Sequence, residues 1–188
     1  MKKVKIALLG DASVGKTSLV KRFADNEYNI ATLPTMQSDF IVRTYDFEGT
    51  NYQIQIYDTA GQEQYRSLSY AITHAVQGVI LVYDITRKDS FSGIESSLAK
   101  VPKNLHIILC GNKSDLGSMR EVDTEEAAKF ANEHNLPFFE TSAEFASNVA
   151  ESFEKLIMMI RDNPPPEEGF QLTEDNSKHN KNRKKGCC

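Results

Sequence analysis

"GDASVGKT", residues 10–17, decides how the rest of the chain is read. It has the form G-x-x-x-x-G-K-[ST], with the apolar run "VKIALL" before it and the amphipathic stretch "KTSLVKRFAD" from Lys16 onward. A strand entering a helix through such a loop is the context in which this pattern binds phosphate. Gly10 and Gly15 let the backbone approach phosphate oxygens. The loop amides and the helix N-terminus turn partial positive charge toward them. Lys16 brings a mobile charge to the β- and γ-phosphates, and Thr17 offers a hydroxyl to Mg²⁺. From average composition the four fixed positions coincide by chance in about 1% of chains this long, so an idle glycine turn is disfavoured. The loop alone leaves the nucleotide and the reaction open.

Outward from the loop, apolar runs alternate with amphipathic ones. "DFIVRTYDF" and "YQIQIYD" flank "EGTN" and read as a hairpin. "GVILVYDI" and "LHIILCGNK" are apolar on both faces, as central parallel strands covered by helices are. "DTEEAAKFANEHN" predicts a helix, with Asp123 and Glu126 spaced for a capping box. "PFFETS" is a short strand. "ASNVAESFEKLIMMIRD" carries Val149, Phe153, Leu156, Ile157 and Ile160 at helical spacing and forms the last helix. "NPPPEEG" ends it. This order predicts an α/β fold with a mostly parallel sheet and one antiparallel edge hairpin.

Two further motifs lie after strands. In "GNKSD", Asn112, Lys113 and Asp115 follow an apolar strand, at the C-terminal sheet edge where open α/β sheets bind ligands. A carboxylate there accepts from both the ring NH and the exocyclic amine of guanine, and adenine offers the wrong pattern. Charge-assisted bonds of about 1.5–3 kcal/mol each make that discrimination decisive. In "ETSA", the backbone at Ser142 and Ala143 is placed for the guanine carbonyl. "DTAGQE" supplies Asp58 for a water-mediated hold on Mg²⁺, the Gly61 amide for a γ-phosphate and Gln62 to orient a water.

Composition sets the outer bounds. The chain has 188 residues, 40% apolar and 26% charged, enough to bury a core without disulfides. Net charge is −4, yet residues 178–188 carry five basic side chains and no acid, leaving −9 for residues 1–177. An acidic body argues against nucleic acid as a partner. Cys110 reads as a small buried hydrophobe, while Cys187 and Cys188 end the chain. The four histidines show no zinc-binding spacing. We expect a nucleotide-binding domain over 1–163 and a flexible basic tail over 164–188.

Together "GDASVGKTS", Thr35, "DTAGQE", "GNKSD" and "ETSA" resemble the Ras superfamily of small GTPases. "RFADNEY", "VYDIT" with "SF", and the paired terminal cysteines resemble its Rab family. The resemblance implies the P-loop NTPase (small G-protein) fold with six strands and five helices. It also implies a Mg²⁺-dependent GTP/GDP switch that hydrolyses GTP slowly and regulates vesicle traffic. By that match Thr17 and Thr35 are Mg²⁺ ligands, Asp58 stands behind the ion, and Lys16, Thr35 and Gln62 serve hydrolysis. Asp11, Ala12, Ser13, Val14, Gly15 and Ser18 surround the phosphates, and Tyr28 and Glu144 flank the base. The segments around 30–42 and 61–74 are the switches. Implied partners are an exchange factor, a GTPase-activating protein, a GDP-dissociation inhibitor or prenylation escort, and effectors at both switches. Cys187 and Cys188 are the implied lipid sites of a monomer attached reversibly to the cytoplasmic face of an intracellular membrane.

The chain departs from the Rab pattern at Ala12, Ser13, Gln37, Tyr57, "ITHAV" over 72–76 and Glu144, and is short between Asp84 and Gly111. These changes bear on partner recognition more than on nucleotide chemistry. Phe40, Tyr57 and Ile72 would form the effector surface. Two other readings stand beside the leading one: a GTP-binding scaffold that does not cycle, and a Ras- or Rho-like signalling GTPase. A P-loop nucleoside kinase would need an arginine-bearing lid, for which the chain has no insert.

Overall fold

The computed structural model describes residues 2–29, 39–59 and 70–166. Six strands run β1 Lys2–Leu9, β2 Asp39–Phe47, β3 Thr50–Asp58, β4 Gly78–Asp84, β5 His106–Asn112 and β6 Phe138–Thr141. They form one sheet in the order β2-β3-β1-β4-β5-β6. Only the β2–β3 pair is antiparallel. It turns through Glu48 and Gly49, both at positive φ (50° and 72°), as a two-residue hairpin requires. Five α-helices lie wholly within the described residues: α1 Lys16–Asp25, α2 Lys88–Ser92, α3 Ile94–Leu98, α4 Thr124–Glu133 and α5 Val149–Asp162.

Alternation along the strands divides the core. Val4, Ile6, Leu8, Ile80 and Val82 join a cluster with Leu19 and Val20 of α1 and Phe153, Leu156 and Ile157 of α5. Ala7, Leu9, Val79, Leu81 and Tyr83 face a second cluster with Phe91, Ile94, Ala127 and Ala131 of α2–α4. Every residue of β4 is buried, which is why its sequence shows no polar face. Cys110 is fully buried in the first cluster. Where α1 meets α5, Phe23 stacks on Phe153 with centroids 4.1 Å apart and ring planes 5° apart.

Two local expectations change. Asp123 occupies the N-cap of α4 with extended backbone, but its side chain makes no cap hydrogen bond. Glu126 instead pairs with Lys88 of α2, so a tertiary ion pair displaces the capping box. The last helix begins at Val149 rather than Ala146, because Ala146 and Asn148 adopt left-handed backbone (φ 59° and 54°).

The chain runs from β1 to the β2–β3 side of the sheet and then to β4 on the other side. The loop after β1 therefore opens at the point where strand order reverses, the usual ligand crevice of an open α/β sheet. A cavity of about 610 Å³ also exists, lined by Leu98, Val101, Leu105, Leu136 and Met159 among others. It borders the start of β5, at the end of the sheet away from the sequence motifs.

Candidate functional site

The loop expected to bind phosphate is built around two glycines with no room for a side chain. A Cβ on Gly10 would sit 2.1 Å from the Val82 carbonyl oxygen. Gly15, at φ 95°, is the N-cap of α1, and a Cβ there would lie 2.3 Å from Nδ2 of Asn112. Ser13 also holds left-handed backbone, at φ 63°, where a side chain is strained. Lys16 is 5% exposed. Its ammonium donates to the carbonyls of Gly10 (2.9 Å) and Asp11 (2.8 Å), so it is anchored to the loop rather than mobile. Burial lowers its pKa to about 8, against the opposing pull of the Asp58 and Asp11 carboxylates.

Thr17 and Asp58 come together from α1 and the end of β3. The Thr17 hydroxyl donates to Oδ2 of buried Asp58 at 2.5 Å. Thr59 donates to the Leu8 carbonyl (2.6 Å), fixing the end of β3 beside β1. The pair offers a hydroxyl and a carboxylate oxygen to one small volume. That donor set fits Mg²⁺, which prefers oxygen and keeps waters and substrate phosphates in its shell. Among the described residues no cluster of three or more His, Cys, Asp or Glu side chains converges. The site suits an ion shared with phosphate better than a protein cage.

The third element closes over the loop. Asn112, at the end of β5, is buried and donates from Nδ2 to the Val14 carbonyl (2.9 Å). Its Oδ1 accepts from Thr141 at the end of β6 (3.2 Å). Lys113 takes left-handed backbone (φ 67°), and its ammonium lies 2.5 Å from Oδ2 of Asp84 at the end of β4. Asp115 accepts from the Ser142 hydroxyl at Oδ1 (2.6 Å). Tyr28 is 37% exposed. Its pKa is raised by burial first and then by the Glu144 and Asp115 carboxylates. Thus Lys16, Thr17, Asp58, Asn112, Lys113, Asp115 and Ser142 share one end of the sheet, with Tyr28 and Glu144 beside the base-loop carboxylate. Thr35, Gly61, Gln62, Cys187 and Cys188 lie outside the described residues.

Several contributors carry no motif. Arg22, in the last turn of α1, donates from Nε to the Ala143 carbonyl (2.7 Å) and from Nη2 to the Glu144 carbonyl (2.9 Å). Arg87 donates to the Ala12 carbonyl (3.0 Å). Asp84 orients Lys113 while its Oδ1 accepts from the Thr86 amide and hydroxyl. Each is an ordinary charged residue in sequence, and only the sheet order brings it to the loops.

The family model described as "Ras family" matches residues 5–162, from within β1 to the end of α5. The chain belongs to the Ras family. It is 42% identical to Ras-related protein Rab-13 of Canis lupus familiaris over 160 residues, 83% of this chain and 79% of the relative. It is 41% identical to Ras-related protein Rab-11A of Dictyostelium discoideum, covering 83% of this chain and 75% of the relative. Ras-related protein Rab-1D of the same organism is 40% identical, over 84% of this chain and 78% of the relative. This Rab-type small GTPase binds GTP and GDP and hydrolyses GTP. Among its departures from the Rab pattern, Ala12, Ser13 and Glu144 lie at the nucleotide end, Gln37 lies outside the described residues, and Tyr57 lies on β3. Tyr57 packs its ring on that of Phe40 with centroids 5.0 Å apart, and Phe40 is 51% exposed.

Proposed function

We propose that this Rab-type GTPase is a Mg²⁺-dependent switch that regulates membrane traffic by recruiting effectors when GTP is bound. The observation that carries the reading is the bond from Asn112 to Val14, which makes the base loop and the phosphate loop a single cradle. In that cradle Asp115 reads guanine, with the backbone at Ser142 and Ala143 at the carbonyl side. The loop amides and Lys16 hold the phosphates. Thr17 and Thr35 would hold Mg²⁺ with Asp58 behind it, and the ion would supply charge neutralisation at the β- and γ-phosphate oxygens.

Hydrolysis in such a site rests on positioning and charge stabilisation rather than covalent chemistry. Gln62 orients the attacking water, and the Gly61 amide binds the γ-phosphate side. No arginine lies between Phe23 and Val42 to act in cis. Turnover by the protein alone is then slow, on the order of 10⁻⁴–10⁻³ s⁻¹, and an activating protein completes the site. An exchange factor restores the GTP state.

Residues 1–163 form the switch domain, and residues 164–188 tether it. Among the described residues no helix is long and apolar enough to cross a membrane. Attachment to the cytoplasmic face of an intracellular membrane is assigned to prenyl groups on Cys187 and Cys188. The five basic residues of the tail add attraction to anionic lipid. Identification of the co-purifying nucleotide, followed by single-turnover GTP hydrolysis with and without Mg²⁺, tests this reading. Guanine nucleotide with slow Mg²⁺-dependent release of phosphate is the expected result. Adenine nucleotide, or no hydrolysis, overturns it.

A further inference from the structure

We infer that Arg22 sets guanine selectivity by positioning Asp115 through a hydrogen-bond relay, a proposal that rests on the reading of Asp115 as the guanine acceptor. The relay is continuous. Arg22 Nη2 donates to the Glu144 carbonyl at 2.9 Å. The amide of the same peptide unit, the Phe145 N–H, donates to Ser142 Oγ at 3.1 Å. The Ser142 hydroxyl then donates to Asp115 Oδ1 at 2.6 Å. In a trans peptide the carbonyl and the N–H point in opposite directions. Holding the Glu144 carbonyl against α1 therefore aims the Phe145 amide at Ser142. With one lone pair engaged by that amide, the hydroxyl has its own proton directed at the carboxylate.

The guanidinium is well suited to this. Nε holds the Ala143 carbonyl at 2.7 Å, and Nη1 holds the Asn26 carbonyl and Oδ1 at 2.9 and 3.1 Å. Its Cζ also lies 5.9 Å from the Tyr28 ring centroid, within cation–π range. The base loop is thus locked to α1, whose other end carries Lys16 and Thr17. A planar fork supplies these directions at once, and a lysine ammonium does not. One oxygen of Asp115 is held by Ser142, which restrains the carboxylate's orientation before guanine arrives. Both guanine donors then meet acceptors without reorientation, the usual benefit of preorganisation.

The relay predicts an effect on base selection and not only on stability. Inosine diphosphate lacks the exocyclic amine of guanosine diphosphate and makes one fewer bond to the Asp115 carboxylate. Full-length protein with Arg22→Ala, Arg22→Lys, Ser142→Ala or Asp115→Asn would be loaded with each nucleotide, and dissociation constants measured by competition. In wild type the guanosine form binds more tightly. We expect Arg22→Ala to lower the GDP-to-IDP affinity ratio on the order of tenfold, less than the full value of a charge-assisted bond. Arg22→Lys recovers only part of it. Arg22→Ala with Ser142→Ala is expected to lower the ratio no further than the stronger single change, as for residues of one network. Equal weakening toward both nucleotides in Arg22→Ala, while Asp115→Asn collapses the ratio, overturns the relay and leaves the guanine reading intact. An unchanged ratio in Asp115→Asn overturns both.

Discussion

Asn112 donates to the carbonyl of Val14 across 2.9 Å, a contact between residues 98 positions apart in the chain. It ties the loop after β5 to the loop after β1, and it leaves no space for a side chain at Gly15. Asn112→Ala strands a buried carbonyl, which costs about 1–3 kcal/mol. We expect a lower melting temperature and faster release of bound guanine nucleotide. Gly15→Ala should do the same by pushing the two loops apart. Unaltered release rates in both variants would show that the cradle does not depend on this contact.

Lys16 predicts a pH dependence. Its pKa falls from 10.5 in the unfolded chain to about 8 in the fold, chiefly by burial. Between those values the unfolded state holds the extra proton, so stability rises with pH across that window. Below about pH 8 both states are charged and the burial penalty, on the order of 3 kcal/mol, is present in full. Melting curves of nucleotide-free wild type and Lys16→Met should converge as pH rises from 8 toward 10.5. A constant difference across that range contradicts the buried ammonium. Affinity for GTP should fall over the same range, because the phosphates need the charged form.

The Tyr83 hydroxyl is buried without a hydrogen-bond partner among the described residues, and a Cβ on Gly111 would lie 2.5 Å from it. Tyr83→Phe removes an uncompensated polar group and should add about 1 kcal/mol of stability. The melting temperature should rise by about 2–4 °C. Gly111→Ala alone should destabilise by overpacking, and Tyr83→Phe in the same chain should return part of the loss. Calorimetry of the four proteins decides it, and a destabilising Tyr83→Phe would mean that the hydroxyl has a stabilising partner.

Gln62→Leu keeps the side-chain volume but cannot bond a water. Single-turnover hydrolysis should slow by about tenfold or more, with nucleotide affinity nearly unchanged. Equal rates in variant and wild type favour a scaffold that binds GTP without cycling.

Cys187→Ser with Cys188→Ser should leave GTP binding intact and shift the protein from membranes to the supernatant on fractionation. Neutralising the five basic residues of the tail should weaken attachment partly and in a salt-dependent way. Continued sedimentation of the double-serine protein removes lipid anchoring at this tail as the explanation.

The sequence by itself determined what depends on neighbours within one loop, strand or helical turn. Period-2 and two-sided apolar runs marked all six strands, and glycine spacing with Lys16 and Thr17 marked the phosphate loop, since steric and hydrogen-bond demands there are local. "GNKSD" singled out Asp115 because a carboxylate at a fixed offset from a strand end is what the proposed guanine recognition needs. The short helices around Gly93 lack a full apolar period and leave no helical signal in the sequence. Only the tertiary structure decided which charged side chains the loops use. Arg22 reaches Ala143 across 121 positions, and Asp84 meets Lys113 because β4 and β5 are paired in register. The same structure gave Glu126 to Lys88 instead of a helix cap, and anchored Lys16 by burying it. A side chain's partner is set by which strand ends lie side by side, and that order is fixed by burying both faces of one sheet at once, not by any stretch of sequence read alone.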